Sequence, residues 1–552
     1  MVLKSMSTER IWASLDPFLE SGPILGRIQA NAGFLKGLFS LDPYDAYRFY
    51  PASEAAGKEL SEGLAALWPS LWESGRMQVL RRVDLPRELA QTEHHVFHLS
   101  DCIVNPAFLE AVRNARSGKI FPITSVTHSL SYARYGLDFL KHLSPCVTPR
   151  DAVVATSRTA AEVVRGFYRG LRQGYGLSLE AFPEPSVEII PLGVDLGEFT
   201  PPDEVLRAQA RERLGFGPET VFLVLARLCQ SSKMDFLPIL RAFHRLRLGG
   251  LPAGSVRLVL AGWTEDSDWG RQTLIDLAAN IGLPLTVVER PSDGLKKDLF
   301  VASDVFLSPS DNLQETFGLT LLEAQAMGLP VIASDFDGYR DLVDNGTTGL
   351  LLPTIGPTLT DAVDLLAPMG FDNHTQLILA QRLAVDVAAM ARAIELLTRD
   401  AGRRRDMRLA ARRKAEGYDW VEIAKRHVEL WERLWEREVP SRPEVRHPVA
   451  VPYARVFAGY PTDRVGPGVM VASSRLGDAV YRGQDFPIVH VGLAGTIDME
   501  TVRALLVLAR KLRDCEGLAT GLRNAVPGLT AEGAQAHILW CLKHDLLERA
   551  GG

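Results

Sequence analysis

The residues best placed to do chemistry lie between 308 and 330. The string Ser308-Pro-Ser-Asp-Asn-Leu-Gln-Glu315-Thr316-Phe317-Gly318-Leu319-Thr-Leu-Leu-Glu323-Ala-Gln-Ala-Met-Gly328-Leu-Pro330 leaves an apolar run, crosses a polar loop and enters a helical pattern that begins near Phe317. A helix start presents unpaired backbone N–H groups, here over Thr316 to Leu319, together with positive dipole density, so it suits a phosphate. Gly318 would let that backbone approach a ligand with no side chain in the way. Glu315 before the helix and Glu323 further along it can each accept hydrogen bonds from vicinal hydroxyls. Two carboxylates flanking a phosphate-binding helix start are what a sugar–diphosphate–ribose ligand requires. A lone glutamate pair at this spacing would ordinarily be surface charge, so the rest of the string has to carry the reading.

A second group lies upstream, where Ala226-Arg227-Leu228-Cys-Gln-Ser-Ser-Lys233 follows an apolar run. Both cations then sit in the loop at the carboxyl end of a strand. Arginine offers a planar fork and lysine a point charge, a combination suited to a diphosphate leaving group.

The 315–330 string resembles the signature of the family-4 retaining glycosyltransferases, the group 1 glycosyltransferases, in which two glutamates stand in Glu-x-Phe-Gly-…-Glu-Ala-x-Ala-x-Gly-x-Pro. Here Glu315, Phe317, Gly318, Glu323, Ala324, Ala326, Gly328 and Pro330 fill that pattern. Val331-Ile-Ala-Ser-Asp335 and Gly346-Thr-Thr-Gly349-Leu-Leu-Leu look like its continuation, and Pro191-Leu-Gly193-Val-Asp195-…-Phe199 like the family's entry into its donor domain. Two departures stand out: Asp341 replaces a common Glu, and the Arg227–Lys233 spacing is one residue longer than usual, with Met234 where Gly often follows. The resemblance implies a GT-B fold, two facing Rossmann-like domains. It assigns donor phosphates to Arg227 and Lys233, donor binding to Glu315, Thr316, Phe317, Gly318, Leu319 and Glu323, and a contact beside the reacting sugar to His128. With Arg227, Lys233 and Glu315, His128 completes the expected catalytic set. The family also places a glycine-containing loop facing donor and acceptor where this chain has Gly26-Arg-Ile-Gln-Ala-Asn31-Ala-Gly33-Phe-Leu-Lys-Gly37. Asn31, Gly33 and Asp101 are therefore, with His128, the expected acceptor-side residues.

The elements that must position these residues alternate short β-branched runs with amphipathic stretches, the pattern of a parallel α/β sheet. Strands are expected at Val96 to Leu99, Ile123 to Thr127, Ala152 to Ala155, Val221 to Ala226, Arg257 to Ala261, Leu285 to Val288, Val305 to Leu307 and Val331 to Ala333. Helices are expected at Ser157 to Gly170, with Ser157 as N-cap, and at Phe236 to Leu248. Prolines across 183–202 mark a hinge, and 381–438 reads as a long helical region whose Trp420, Ala424, Val428, Trp431 and Trp435 share one face. The expected divisions are 1–195 (acceptor side), 196–400 (donor side), 401–438 (helices packing back), 439–463 (Pro-rich linker) and 464–552. The last is a small, mostly helical module, built on Met499 to Asp514 and Thr530 to Glu548, whose end resembles a winged helix.

Composition bounds the rest. In 552 residues, 61 Lys and Arg against 67 Asp and Glu give a formal charge of −6, which argues against a dominant nucleic-acid or anionic-membrane surface. Membrane contact would be at most peripheral. A 46% apolar fraction excludes disorder as the main state. The five scattered cysteines favour a reducing, cytoplasmic setting. The strings Asp335-Phe-Asp337 and Asp266-Ser-Asp268 are rivals that could hold a divalent metal. No metal and no resident cofactor are expected, because Arg227 and Lys233 already supply the positive charge. The expected reaction is metal-independent, retaining transfer of a sugar from a UDP-, GDP- or ADP-sugar to the hydroxyl of a glycan, lipid-linked saccharide or protein. A protein partner through 464–552 is also conceivable. The alternatives are a GT-B-like epimerase or phosphorylase, and a non-catalytic partner-binding scaffold.

Overall fold

Two parallel sheets dominate the structure, a computed structural model that describes residues 9–20, 26–264, 270–370, 372–440, 443–493 and 495–550. The first sheet contains β1 (Ile11–Ser14), β2 (Ala46–Phe49), β3 (Met77–Val79), β4 (Val96–Leu99), β5 (Ile123–Val126), β6 (Asp151–Ala155) and β7 (Ser186–Ile189). Their spatial order is β3-β2-β1-β4-β5-β6-β7, and every pairing is parallel. The second contains β8 (Thr220–Leu225), β9 (Val256–Gly262), β10 (Leu285–Glu289), β11 (Val305–Ser308), β12 (Val331–Ser334) and β13 (Gly349–Leu352). Its order is β10-β9-β8-β11-β12-β13, again parallel throughout. The central strands β1, β4, β8 and β11 are buried along their whole length, because helices cover both faces; their sequences are therefore mostly apolar, broken only by His98 and by a Ser or Thr at a strand end, rather than alternating. Strand order reverses between β1 and β4 and again between β8 and β11. In doubly wound sheets the ligand crevice opens outside the strand carboxyl ends at such a reversal.

The Trp420–Trp435 helix carries its aromatic face back to the first sheet. Its Trp431 indole N–H donates to Thr124 Oγ1 at 2.8 Å, and that of Trp435 donates to the His95 carbonyl at 2.7 Å. The three helices of the predicted long region are Val387–Arg399, Ala401–Glu416 and Trp420–Trp435. The region divides because Asp400 and Asp419 each cap the next helix, accepting from Arg403 N at 2.8 Å and Val421 N at 2.9 Å. Ser157 does the same for the Arg158–Tyr175 helix, accepting from Ala160 N at 3.0 Å.

Two expectations need correction, and one segment was not foreseen. The glycine-containing stretch from Gly26 to Gly37 is no loop but part of the Gly26–Leu41 helix. A Cβ on Gly33 would fall inside the Trp420 indole, and one on Gly37 would collide with the Trp420 carbonyl, so these glycines admit the returning helix. The 183–202 hinge contains an edge strand, β7, between Pro185 and Pro191, a position that tolerates flanking prolines. Finally, 354–385 is an unforeseen excursion. Strands β14 (Thr354–Ile355) and β15 (Ala384–Val385) pair antiparallel at its base, and helices Asp361–Leu366 and Asp372–Ala380 lie between them.

The chain divides into compact units 1–449 and 450–552. The second unit packs helices Met499–Leu508, Cys515–Ala525 and Ala531–Lys543 with a three-stranded antiparallel sheet of β16 (Met470–Ser473), β17 (Arg513–Asp514) and β18 (Leu547–Arg549). Val471, Leu505, Leu518, Ile538 and Cys541 form its core. Among the described residues no helix is long and apolar enough to cross a membrane.

Candidate active site

The loop after β8 and the loop after β11 meet at the reversal of the second sheet, and the charged residues of both strings meet there. Lys233 Nζ is ion-paired with Glu315 Oε2 and donates to the Tyr339 hydroxyl at 3.3 Å. Tyr339 in turn donates to Glu315 Oε2 at 3.1 Å, and its hydroxyl lies 2.9 Å from Ser308 Oγ. Burial works against both charges. The Glu315 carboxylate nevertheless holds Lys233 above its ordinary pKa, while Lys233 and Tyr339 hold Glu315 below its own. The pair therefore stays ionised through neutral pH. Arg227 Nη2 donates to the Ser232 carbonyl at 3.0 Å and to Gln314 Oε1 at 3.3 Å. Gly318, at φ +104°, precedes the Leu319–Ala326 helix, and no side chain caps its N-terminus. A Cβ on Gly318 would come within 2.6 Å of the Tyr339 ring. Phe317 is a core residue at 2% exposure, so only its backbone can serve a ligand. The helix begins at Leu319, two residues later than the pattern suggested, which leaves Thr316 in the loop; its N–H donates to Glu315 Oε1 at 3.3 Å.

Glu323 is set apart from this cluster. It is buried and ion-paired with Lys296, whose Nζ lies 3.1 Å from Oε1 and 2.9 Å from Oε2. Lys296 also sits over the rings of Phe199 and Phe300, 5.2 and 5.9 Å from their centroids. Burial raises the Glu323 carboxyl, opposed by Lys296. The structure thus brings Arg227, Lys233, Glu315 and Gly318 to one loop cluster and places Glu323 one helical turn along, against a lysine the sequence did not single out.

At the reversal of the first sheet, Asp16 follows β1, Asp101 follows β4 and His128 follows β5. Asp16 accepts from Ser100 N at 2.9 Å, Ser100 Oγ at 3.2 Å and Asn105 Nδ2 at 3.3 Å. Burial, with Asp101 adding repulsion, pushes its carboxyl up to about 6. His128 Nε2 lies 2.6 Å from the Ser100 carbonyl, which can only accept; the ring therefore donates there and keeps Nδ1 free as an acceptor when neutral. Burial lowers its pKa, opposed by Asp101. Asn31 and Gly33 do not join this group. Gly33 faces Trp420, and Asn31 is buried with Nδ2 unpartnered among the described residues.

Several contacts join the two sheets' domains. Ser129 Oγ donates to the Gln314 carbonyl at 2.9 Å, Arg158 N donates to Asp341 Oδ2 at 2.8 Å, and Thr159 Oγ1 donates to the Asp337 carbonyl at 3.3 Å. Asp341, the departure from the family pattern, is thus the partner of the Arg158–Tyr175 helix start.

The rival metal string looks different in place. Asp335 Oδ1 is held by Arg340 Nε at 2.7 Å, and burial plus the nearby Glu315 push the Asp337 carboxyl up to about 8, its protonated form at neutral pH. Among the described residues no three His, Cys, Asp or Glu side chains are grouped to hold a metal ion. Asp266 and Asp268 lie outside the described residues.

Sequence reasoning missed Asp16, Lys296, Tyr339 and a buried pair, Asp311 and Gln314. Asp311 is 5% exposed, its Oδ1 has no partner among the described residues, and burial pushes its carboxyl up to about 7. A carboxyl raised on folding loses stability as pH climbs from its unfolded value toward its folded one. Asp311→Asn is therefore expected to be more stable than the wild type at pH 8, by on the order of 3 kcal/mol, with the advantage fading toward pH 4. Thermal melts at the two pH values check this; equal advantages at both would contradict it.

Residues 219–367 match the family model described as glycosyl transferases group 1. The D-inositol 3-phosphate glycosyltransferase of Actinosynnema mirum is 33% identical over 224 residues, 40% of this chain and 49% of that protein. The protein of the same name from Xylanimonas cellulosilytica is 29% identical over 301 residues, 54% of this chain and 60% of that one. The chain thus spans about half of these curated relatives' length. Among solved structures, Anabaena Alr3699/HepE in complex with UDP superposes with a TM-score of 0.52 at 15% identity, covering 77% of this chain and 100% of that one. A glycosyltransferase from Rickettsia africae gives 0.51 at 14% identity, covering 78% and 100%. Together with the two reversing parallel sheets, these likenesses show the GT-B fold.

Proposed function

We propose that this chain, whose 219–367 segment matches the group 1 glycosyl transferases, moves a sugar from a nucleoside-diphosphate sugar to a hydroxyl acceptor with retention at the anomeric carbon. The observation that carries the reading is the Lys233–Glu315–Tyr339 cluster beside Arg227, set against an uncapped helix start at the strand reversal of the matched domain. HepE, of the same fold, was solved with UDP.

In this reading the diphosphate lies at the Gly318–Leu319 helix start with Arg227 and Lys233 on its oxygens. Glu315 orients hydroxyls of the donor sugar, and Glu323, with Lys296 fixing its carboxylate, orients the ribose. The bond from the anomeric carbon to the β-phosphate oxygen breaks, and the acceptor oxygen bonds to that carbon on the same face. The acceptor's proton passes to the departing phosphate oxygen. Charge grows on the diphosphate as this happens, and fixed cations in a water-poor crevice stabilise it more in the transition state than in the ground state. His128 Nδ1 and Asp101 face the reacting centre from the first sheet. No metal is required in this scheme, because two cations already neutralise the leaving group. Unit 450–552 serves as a protein-contact module.

The test is release of nucleoside diphosphate from UDP-, GDP- and ADP-glucose, with and without a polyol acceptor and with and without EDTA. The reading predicts acceptor-stimulated, EDTA-insensitive release from one donor, with retained anomeric configuration in the product. Release insensitive to acceptors, or inversion, would contradict it.

A further inference from the structure

We infer that Asp337 is a further sugar-binding residue, giving a hydrogen bond to one hydroxyl oxygen of the donor sugar while Glu315 accepts from another hydroxyl. This rests on the glycosyl-transfer reading and extends the same site to the turn after β12.

That turn is packed directly on the loop that receives the donor. A Cβ on Gly338 would lie 2.4 Å from the Thr316 carbonyl oxygen and 2.7 Å from Phe317 Cα, and the Tyr339 ring fills the space beside Gly318. Asp337, one residue before Gly338, therefore adjoins the Glu315–Gly318 segment. It is half-buried, so a ligand can reach it. The first domain meets the same turn, with Thr159 Oγ1 donating to the Asp337 carbonyl at 3.3 Å. A second bridge, Gln376 Nε2 to the Ser131 carbonyl at 2.7 Å, joins the same two domains. Asp337 thus stands on the wall of the crevice between them. Its backbone is left-handed, at φ +47°. Glycine enters that region freely and other residues do not, aspartate and asparagine being the least disfavoured. A side chain kept where glycine would serve the turn points to a use for its carboxyl.

The surrounding charges set this acid apart. Glu315 is paired with Lys233, Asp335 with Arg340 and Asp341 with Arg158. Asp337 has no ion-pair partner among the described residues. The charges that bear on it are Glu315 of the β11 loop and Arg340 and Asp341 of its own helix, and Arg340 is already held by Asp335. Lys233 and Arg158, the cations of the neighbouring elements, are taken by Glu315 and Asp341. Burial, then repulsion from Glu315, makes Asp337 keep its proton up to about pH 8. A neutral carboxyl can give a hydrogen bond, whereas the Glu315 carboxylate can only accept. Together they match two hydroxyls of an uncharged sugar. At higher pH the Asp337 proton is lost, and a second negative charge stands beside the departing diphosphate.

The test compares the full wild-type chain with Asp337→Gly and Asp337→Asn. Rates are followed with whichever of UDP-, GDP- and ADP-glucose the wild type uses, and calorimetry measures the corresponding nucleoside diphosphate, which lacks the sugar. Glycine suits the left-handed turn and asparagine is nearly isosteric, and thermal melts check that both fold. Asp337→Gly should lower kcat/KM for the nucleotide sugar about tenfold at neutral pH, the effect of one lost hydrogen bond, at unchanged affinity for the nucleoside diphosphate. Asp337→Asn, whose amide donates without titrating, should recover most of that loss. It should also remove the fall in kcat/KM that the wild type shows through about pH 8. Wild-type rates in Asp337→Gly, an equal loss of affinity for the bare nucleoside diphosphate, Asp337→Asn as slow as Asp337→Gly, or an alkaline fall that persists in Asp337→Asn would overturn the inference. Failure of the underlying reading looks different: no nucleoside diphosphate binds the wild-type chain at all.

Discussion

Lys233→Ala is expected to lower kcat/KM for sugar transfer by about 10²–10³-fold, most of it in kcat, because it removes a fixed charge that acts on the leaving diphosphate as the bond breaks. The loss is compounded locally. Lys233 and Glu315 are 14% and 13% exposed, so the variant leaves a buried carboxylate facing only the Tyr339 and backbone donors. Glu315 then titrates upward from its depressed value, and its protonation should bring a new alkaline-going rise in the pH–rate profile that the wild type lacks. Lys233→Arg keeps the charge but not the compact ammonium that fits between Glu315 and Tyr339, so it should recover part of the rate. Steady-state rates with donor and acceptor varied separately check this. A rise in donor KM alone, with kcat intact, would show that Lys233 merely holds the ground state.

The largest stability effect is expected far from the site, at Arg113→Met. Arg113 and Asp151 are 0% and 1% exposed, with Nη2 2.9 Å from Oδ2. Arg113 also donates to the Phe121 carbonyl at 2.8 Å, and Asp151 Oδ2 accepts from Thr148 N at 2.8 Å. Removing one partner of so buried a pair strands the other charge, which costs about 3–5 kcal/mol. The neighbouring Glu110, also buried and raised by desolvation, supplies no compensating cation. The exposed pair Arg158–Asp341, whose arginine is 73% exposed, should by contrast be worth about 0–1 kcal/mol. Urea unfolding followed by tryptophan fluorescence tests both, since Trp12, Trp420 and Trp431 are buried in the first domain's core. A double variant, Arg113→Met with Asp151→Leu, should regain much of the loss. Equal small losses at the two pairs would contradict the ranking.

What the sequence made legible follows from how local each signal is. Glu315, Gly318 and Glu323 belong to one string, and Arg227 and Lys233 to one loop after a continuous apolar run, so their placement needed only the strand–loop–helix pattern. Partners from distant segments left no such trace. Lys296 is 27 residues from Glu323, Tyr339 is 106 from Lys233, and Gln376 is 245 from Ser131. Strand β1, Ile-Trp-Ala-Ser, was missed because it is short and has no neighbouring β-branched run, although its Trp12 is wholly buried. The Gly26–Leu41 helix was misread because glycine weakens helices locally. Tertiary packing overrides that cost here, since Trp420 requires the space that Gly33 and Gly37 leave. The excursion at 354–385 interrupts the pattern between β13 and the Val387–Arg399 helix, and its Asp372–Ala380 helix carries no recognisable motif.

The most direct measurement is calorimetric titration of UDP, GDP and ADP into the wild-type chain and into Arg227→Ala and Lys233→Ala, each checked for folding by its thermal melt. If the β8 loop and the Gly318 helix start grip a nucleoside diphosphate, one of the three binds the wild type and each variant weakens it at least about tenfold, as loss of a charge-assisted contact requires. Equal affinity in wild type and variants, or no binding of any of the three, would contradict the account.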